Sequence, residues 1–368
     1  MGFLFKYTCI LVLNGGEGKL KLAVLGLNHG FQFAEAIVKM KGVSLVAVAG
    51  INDLAKQRAN CLDVPLYENY KQLIQEQSLD GVIITLPNQL HHEAVTYCAD
   101  AGVHCLVEKP IADTTVQGVE MVQYCKKRKV NLLVGHHRRY SSKINLLKQT
   151  LETKKIGDMI GVNLMWALAK DRPYYDETWR MNEGGGPLLI NGIHDIDNLR
   201  YVTGSEVESV YATAKSLIRG NRVEDSVSAI LHLHTGATVN YFLTDGVPAP
   251  WSYEFTMGEN SKYPFYEEDC YYFFGTKGSI AFPSMRMYRY DESAYGWEHA
   301  LVEETLTIDQ FVDPIVEELK HFILVIEGIE QARVPGEDGV KTLEVIEAMR
   351  LSIKEERKVN ILANTLIK

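Results

Sequence analysis

From Lys21 the chain alternates short apolar runs with segments whose apolar residues recur at helical intervals. KLAVLGL (21–27) leads into the helically spaced NHGFQFAEAIVKMKG (28–42), and VSLVAVAG (43–50) into LAKQRANC (54–61). A short strand VPLYE, a helix over 69–77 and the apolar run GVIITLP (81–87) follow. HHEAVTYCADAG is again helical, and VHCLVEKP (103–110) reads as a buried strand that stops at a charged pair and a proline. The next helix, from Thr114 to Lys129, takes Asp113 as its N-cap, and NLLVGHHRR closes the series. Strands alternating with helices predict βαβ units and a doubly wound parallel sheet.

After about Ser141 the alternation stops. A helix closes over 145–153, and then come strands: MIGVNLMWALAK, SEVESVYATAKSL, VEDSVSAILHLH, GATVNYFLTDG, SYEFTMGE, DCYYFFGTKGSIAFP and RMYRY. Apolar and polar residues alternate between short Gly or Asp turns, the mark of a largely antiparallel sheet with one buried face. The expected fold class is therefore α/β. A Rossmann domain (21–140) precedes an α+β domain (141–368) with a large, mainly antiparallel open sheet, and a final helix near 336–357 packs back on the first domain. Such a sheet finds its cover in another subunit, which predicts an oligomer.

Length and charge narrow the functional classes. A chain of 368 residues can bury two cores, and 38 Lys+Arg against 47 Asp+Glu, a net charge of -9, argue against a nucleic-acid partner. Residues 1–20 read as an N-terminal extension. Its apolar part, Phe3 to Leu13, is broken by Lys6, is too short to span a bilayer and lacks an A-x-A cleavage signal. Cys9, Cys61, Cys98, Cys105, Cys125 and Cys270 contain no CxxC pair and read as reduced thiols, so a cytoplasmic protein without a membrane partner, disulfides or metal is expected.

The chemistry should lie beyond the carboxyl ends of the parallel strands. The first strand-to-helix turn, Gly26-Leu27-Asn28-His29-Gly30-Phe31, offers helix N-terminal amides to a phosphate. Against G-x-G-x-x-G only the first Gly is in place; Asn28 is expected to adopt positive φ and Gly30 to give the close backbone approach. The second strand ends at Gly50 where an acidic residue usually holds the ribose. Asn52 or Asp53 can reach the ribose there, and Lys56 or Arg58 a 2′-phosphate, so NAD and NADP both stay open. Thr85, Pro87 and Asn88, with His91 just beyond, form a cofactor wall. In GGGPLLINGIHDID (184–197), His194 and Asp197 stand at i and i+3, a base near neutral pH with a carboxylate to orient it. No third residue at a telling spacing suggests zinc.

EKP at Glu108–Pro110, the Rossmann-like first half, GHHRRY (135–140), TWR (178–180), GGGPLLINGIHDID and the closing EDGVKTLEVIEAMRLSIKE (337–355) together resemble the Gfo/Idh/MocA family of oxidoreductases. The resemblance runs from about Lys21 to Arg357. It implies NAD(P)-linked oxidation or reduction at a CH-OH group of a sugar, polyol or related molecule, and a homodimer or homotetramer formed through the C-terminal sheet. Lys109 matches the family's active-site lysine, which polarises the substrate oxygen. Glu108 and Pro110 shape the nicotinamide end of the cofactor site, and His194 matches the histidine that exchanges the proton. The family often has Asp four residues before that histidine; here the position is Ile190, beside Asn191, which leaves Asp197 to orient His194. Arg139, Trp179 and Arg180 match cofactor- or substrate-edge positions. Tyr174, in KDRPYYDETWR (170–180), and Asn191 join Lys109 and His194 around the carbohydrate-like substrate. Two other readings stand beside this one: a tightly held NAD serving elimination or glycoside cleavage, and a catalytically silent cofactor-binding sensor, encouraged by Ile190 and the altered glycine turn.

Overall fold

A computed structural model describes residues 19–361 apart from 183, 221, 292 and 309. The N-terminal extension falls, but for its last two residues, outside the described residues. The first half runs β1 (Leu20–Leu25), α1 (Phe31–Lys39), β2 (Val43–Ala49), α2 (Asp53–Leu62), β3 (Leu66–Tyr67), α3 (Tyr70–Glu76), β4 (Gly81–Ile84), α4 (His91–Asp100), β5 (His104–Glu108), α5 (Thr115–Arg128) and β6 (Leu132–Gly135). These strands form one sheet in the order β3-β2-β1-β4-β5-β6, every pair parallel. The order reverses between β1 and β4, and the crevice at that switch point is where such sheets bind ligands. α5 is capped by Thr114, whose hydroxyl accepts from the Gln117 amide at 3.3 Å, and not by Asp113. A Thr one residue nearer the first turn outcompetes the acid because its oxygen reaches the third amide directly.

The second half contains α6 (Ser142–Glu152), β7 (Met159–Ala167), α7 (Ile193–Thr203), β8 (Val207–Lys215), β9 (Ser226–Leu233), β10 (Thr238–Thr244), α8 (Tyr253–Met257), β11 (Tyr271–Gly275), β12 (Ser279–Phe282), β13 (Arg286–Arg289), β14 (Val302–Thr305), α9 (Pro314–Ile326), α10 (Gly336–Glu355) and β15 (Val359–Asn360). The nine strands order as β14-β13-β12-β11-β7-β10-β9-β8-β15, antiparallel except where β7 and β10 run parallel. SYEFTMGE forms α8 and not a strand. The Ser252 hydroxyl accepts from the Phe255 amide at 3.3 Å and nucleates a turn that the alternation alone does not reveal.

Both closing helices return to the parallel sheet. On α9, Leu319 and Phe322 are fully buried in one cluster with Leu22, Val24 and Ile83. There is no room for a side chain at Gly81, where a Cβ would come within 2.7 Å of Ile326. α10 packs along α5 and β6, with Gly339 pressed against Val134. The parallel strands are thus covered on both faces, as their unbroken apolar runs require.

Directly after β6, two buried arginines reach into the second half. Arg138 donates to Asp195 on α7 at 2.9 Å and to Glu254 on α8 at 2.8 Å. Arg139 holds Asp197 with two bonds, 2.9 and 2.7 Å, and reaches Asp338 on α10 at 2.9 Å. Burial opposes the Asp197 charge, but Arg139, His136 and Arg200 outweigh it and hold the carboxyl far below the usual carboxylate range. Breaking a buried pair from one side leaves an unmatched charge, whereas replacing both partners by apolar groups does not. Asp197→Ala should therefore lower the unfolding free energy by about 3 kcal/mol or more in urea titrations, and the double variant Asp197→Leu/Arg139→Met by less than the single one.

Candidate active site

The phosphate turn is built by close packing. Gly26 has φ +94°, and a Cβ there would lie 2.6 Å from the Thr85 carbonyl oxygen. The Thr85 hydroxyl donates to the Gly26 carbonyl at 2.7 Å, tying β4 to the end of β1. Gly30 is helical, but a Cβ on it would approach the Gly26 oxygen to 2.2 Å. Asn28 is not among the residues with positive φ; the turn needs that conformation only at Gly26. The first turn of α1 has no side-chain cap, which leaves its amides for an anion. Two glycines whose Cβ atoms would fill the cradle, next to uncapped amides, fit a dinucleotide pyrophosphate.

At the adenosine end, Gly50 lets α2 approach, since a Cβ would meet that of Ala55 at 2.6 Å. The Asn52 side chain accepts from the Ala55 amide at 2.8 Å and is committed as the cap of α2. Arg58 donates to the carbonyls of Leu27 and Asn28, and its guanidinium lies 4.8 Å over the Phe31 ring. It props the outer side of the phosphate turn. Past β4, Pro87 and Asn88 begin a single 3₁₀ turn. His91 is completely buried, its ring 2.9 Å from the Leu86 carbonyl and 2.9 Å from the Pro110 carbonyl. It clamps the two strand ends together from beneath and does not face the crevice.

Glu108 and Lys109 end β5. The Glu108 carboxylate is buried and accepts from His29 Nε2 at 3.0 Å. Burial pushes its carboxyl up, but His29, Lys109 and His137 outweigh this and hold it at about 2. Lys109 extends across to the second half and donates to the Ile190 carbonyl at 3.1 Å. Burial lowers its ammonium from the ordinary lysine range, and the Arg138 charge adds to this.

Ile190 lies in a wide turn, Leu188–Gly192, with i→i+5 bonding that runs straight into α7. Local widening of this kind is common where a helix presents a functional side chain. One turn further on stands His194, 7% exposed, its Nδ1 without a hydrogen-bond partner. Burial and the cations of Lys109 and Arg138 push its imidazole well below the ordinary value, so it is neutral at pH 7. Asp197 does not orient it: that carboxylate is taken by two bonds from Arg139. The three-residue spacing puts the two Cβ atoms near one another, and the strong bidentate pair decides where the carboxylate goes. Arg139 is correspondingly consumed by Asp197 and Asp338 and is buried away from the cofactor crevice.

On the substrate side, Arg180 stacks 4.0 Å over the Tyr174 ring and donates to the Tyr174 carbonyl at 2.7 Å, while Trp179 is half exposed beside it. Asn191 accepts from Lys170 Nζ at 2.7 Å. Lys170 opens the segment 170–180 but was given no role of its own from the sequence. It is nearly buried, 3.3 Å from Asp245 and 4.4 Å from the centre of the Tyr174 ring. Burial, offset in part by Asp245, brings its ammonium down to about 8. Asp245 also accepts from Tyr175 at 2.6 Å and pairs with Arg219. The signal lay in the sequence as a lysine ending an apolar run, the same device as EKP. His136 and His137, side by side after β6, were likewise without a role; their rings lie 6.3 and 5.4 Å from that of His194.

Among the described residues, the five cysteines are free thiols, no group of His, Cys, Asp and Glu gathers as a metal site, and no helix is long and apolar enough to cross a membrane.

Residues 20–136 match the profile described as an oxidoreductase family with an NAD-binding Rossmann fold, and residues 144–281 match the GFO/IDH/MocA C-terminal domain. A myo-inositol 2-dehydrogenase of Thermotoga maritima is 27% identical over 349 residues, 93% of this chain and 98% of that one. An inositol 2-dehydrogenase of Rhizobium meliloti is 25% identical over 77% of this chain and 81% of its own. Among solved structures, the scyllo-inositol dehydrogenase of Lactobacillus casei with NAD(H) and scyllo-inositol bound superposes with a TM-score of 0.75 at 19% identity, over 94% of this chain and 99% of that one. At that identity the likeness is one of fold.

The Glu108 carboxyl predicts an acid-stability difference. Because its folded value, about 2, lies below its ordinary one of 4.5, its contribution is present above pH 4.5 and is lost as pH falls toward 2. In urea titrations the wild type should exceed Glu108→Gln by an amount on the order of 2–3 kcal/mol at most near pH 6, and the gap should narrow steadily toward pH 3.

Proposed function

This chain belongs to the GFO/IDH/MocA oxidoreductase family, and on that premise we propose that it transfers hydride between NAD and a secondary alcohol or ketone of a cyclic polyol or sugar. The observation that carries this reading is the meeting of Lys109 and His194, one from each half, with the lysine anchored on the carbonyl four residues before the histidine. Bound nicotinamide supplies the hydride acceptor. Gly26, Gly30 and the amides of α1 hold the pyrophosphate; Thr85, Pro87 and Asn88 wall the crevice, and Glu108 and Lys109 stand at the nicotinamide end. Lys109, kept close to one backbone oxygen, polarises the substrate hydroxyl. His194, neutral and without a partner at Nδ1, takes the hydroxyl proton. Asn191, Lys170 and Tyr174 bind the remaining hydroxyls of the ring.

A cyclic polyol is favoured because the relatives aligned along most of the chain include inositol dehydrogenases. NAD is favoured over NADP because Arg58 is already spent on two carbonyls of the phosphate turn and on Phe31. Neither non-redox net chemistry nor a silent sensor draws support from this site, in which lysine, histidine and glycine cradle are all retained.

Calorimetric titration should give tight binding of NAD, weaker binding of NADP and none in Gly26→Asp. With myo-inositol and NAD, Lys109→Ala and His194→Ala should each lose about 100-fold or more in turnover while still binding cofactor. Absence of cofactor binding by the wild type would overturn the reading.

The nine-stranded sheet leaves Tyr211, Ile230, Phe242 and Phe274 exposed on its outer face. This apolar face is the contact of a homo-oligomer in our reading. Light scattering should show a dimer or tetramer that Ile230→Asp/Phe242→Glu reduces to smaller species; a wild-type monomer would refute it.

A further inference from the structure

Around Asn191 the substrate side of the crevice holds more cations than carboxylates. Lys170, Arg180 and Arg219 gather on two adjoining tyrosine rings. Lys170 Nζ lies 4.4 Å and the Arg180 guanidinium 4.0 Å from the centre of the Tyr174 ring, and the Arg219 guanidinium 4.2 Å from that of Tyr175. The two rings meet edge-on, 5.1 Å apart. The carboxylate bonded within this cluster is Asp245, which pairs with Lys170 and Arg219 and accepts from Tyr175. Glu254 also acts on Lys170, but it is bonded to Arg138 at 2.8 Å and to the Trp166 indole at 2.7 Å. Asp171, Asp176 and Glu177, from the same stretch of chain as Arg180, are exposed. Among the described residues Arg180 makes no ion pair; it donates to the neutral Tyr174 carbonyl.

One buried carboxylate therefore serves two cations and a phenol, and a third cation has none. The protein also leaves donors over. Lys170 has three N–H bonds, of which Asn191 and Asp245 take two. The Nε atoms of Arg180 and Arg219 are enclosed without a hydrogen-bond partner. Water does not make up the difference at Lys170, whose side chain is only 10% exposed. Burial outweighs Asp245 there and brings the ammonium down to about 8, so its charge is incompletely met by its surroundings. Buried donors and charges without partners are costly, and such a cluster gains by taking in an anion.

We propose that the substrate carries an anionic group, a carboxylate or a phosphate ester, which Lys170 and Arg180 receive in place of a ring hydroxyl. This rests on the hydride-transfer reading above and narrows it to acidic sugars and polyols. One turn of chain relates the anion site to the chemistry: Lys109 is anchored on the carbonyl of Ile190 and Lys170 on the side chain of the next residue, Asn191. The two lysines bracket a molecule of about one sugar ring, with its reacting hydroxyl at Lys109 and its anion at Lys170. Arg180 adds a planar fork that matches two oxygens of a carboxylate or phosphate, and Lys170 a point charge. Arg219 stays on Asp245, which holds the Lys170 ammonium in place. The anion takes no part in the redox step: the CH–OH group gives its hydride to NAD and its hydroxyl proton to His194, leaving a carbonyl.

The test uses the full-length protein. Its NADH complex is titrated calorimetrically with D-glucuronate, D-galacturonate and glucose 6-phosphate against D-glucose, D-galactose and myo-inositol, and the same compounds are offered with NAD for turnover. At least one acid should bind about tenfold or more tighter than its neutral counterpart, a preference that falls as NaCl is raised. Preference for a uronate assigns a carboxylate, preference for glucose 6-phosphate a phosphate ester. Lys170→Met and Arg180→Met should each bring the acid-to-neutral ratio toward one, and Arg180→Lys should keep part of it. Simple loosening of the site would weaken acid and neutral sugar alike, so a ratio unchanged in both variants overturns the proposal, as does a wild type without preference. Reduction of NAD by the neutral compounds alone also overturns it and leaves the hydride-transfer reading standing. Selective binding of an acid, with no compound reducing NAD, refutes that reading instead and leaves the anion site standing.

Discussion

The geometry of the whole crevice depends on the burial of two arginines. Arg138 and Arg139 follow β6 without a break and are carried under the surface, where an unpaired guanidinium would cost several kcal/mol. Each therefore demands its carboxylate, Asp195 and Asp197 respectively, and these stand two residues apart on α7. Alternate residues on a helix point to different sides, so the two pairs grip α7 from two directions and leave it neither rotation nor slide along the β6 end. Tyr241 and Tyr271 hold Asp195 from the far side, and Asp338 joins Arg139 to Arg200. The placement of His194 directly before the first of those two aspartates is what converts a structural lock into an active-site position.

A second constraint comes from backbone contact. The phosphate turn and the loop after β4 are held at distances that side chains on Gly26 or Gly30 would forbid. Thr85 ties the first to the second and His91 ties the second to the loop after β5. Three strand ends thereby move as one body, and Lys109 leaves the last of them with its base already fixed. A lysine on so short a tether loses little further freedom when it binds an oxygen, which is the condition for preorganised polarisation.

The parallel sheet, the EKP strand end and the helix after the three glycines were legible because each is written locally: apolar runs at strand length, helical spacing, and a residue pair at a strand terminus. What escaped was settled by partners distant in sequence. The Asp197 side chain follows Arg139, 58 residues away, and not the histidine one turn off. Asn52 and His91 have polar side chains of the type that meets ligands, yet backbone groups near them take up that capacity. SYEFTMGE alternates like a strand, but a serine cap and the Arg138 demand for Glu254 turn it into a helix. Lys170 was visible as a letter and not as a site, since only the return of β10 brings Asp245 to it. Position 28 failed for a simpler reason: the close approach is made by Gly30, two residues beyond that slot, and positive φ is needed only at Gly26.

The apolar residue at 190 changes the electrostatics more than the geometry. A carboxylate there would have stood beside Lys109 and raised the basicity of His194; without it, the charges that bear on His194 are the cations Lys109 and Arg138, while the carboxylates that balance them, Glu108 and Asp195, stand on the sides of those cations. Such a field favours the alkoxide that develops as the hydroxyl proton leaves and disfavours the imidazolium that receives it. The two effects oppose each other at a single step, and the net gain depends on how quickly the second charge is removed. A site built this way stabilises the anion with fixed cations at the expense of the imidazolium, so the departure of the proton from His194 weighs on the step as much as the polarisation by Lys109.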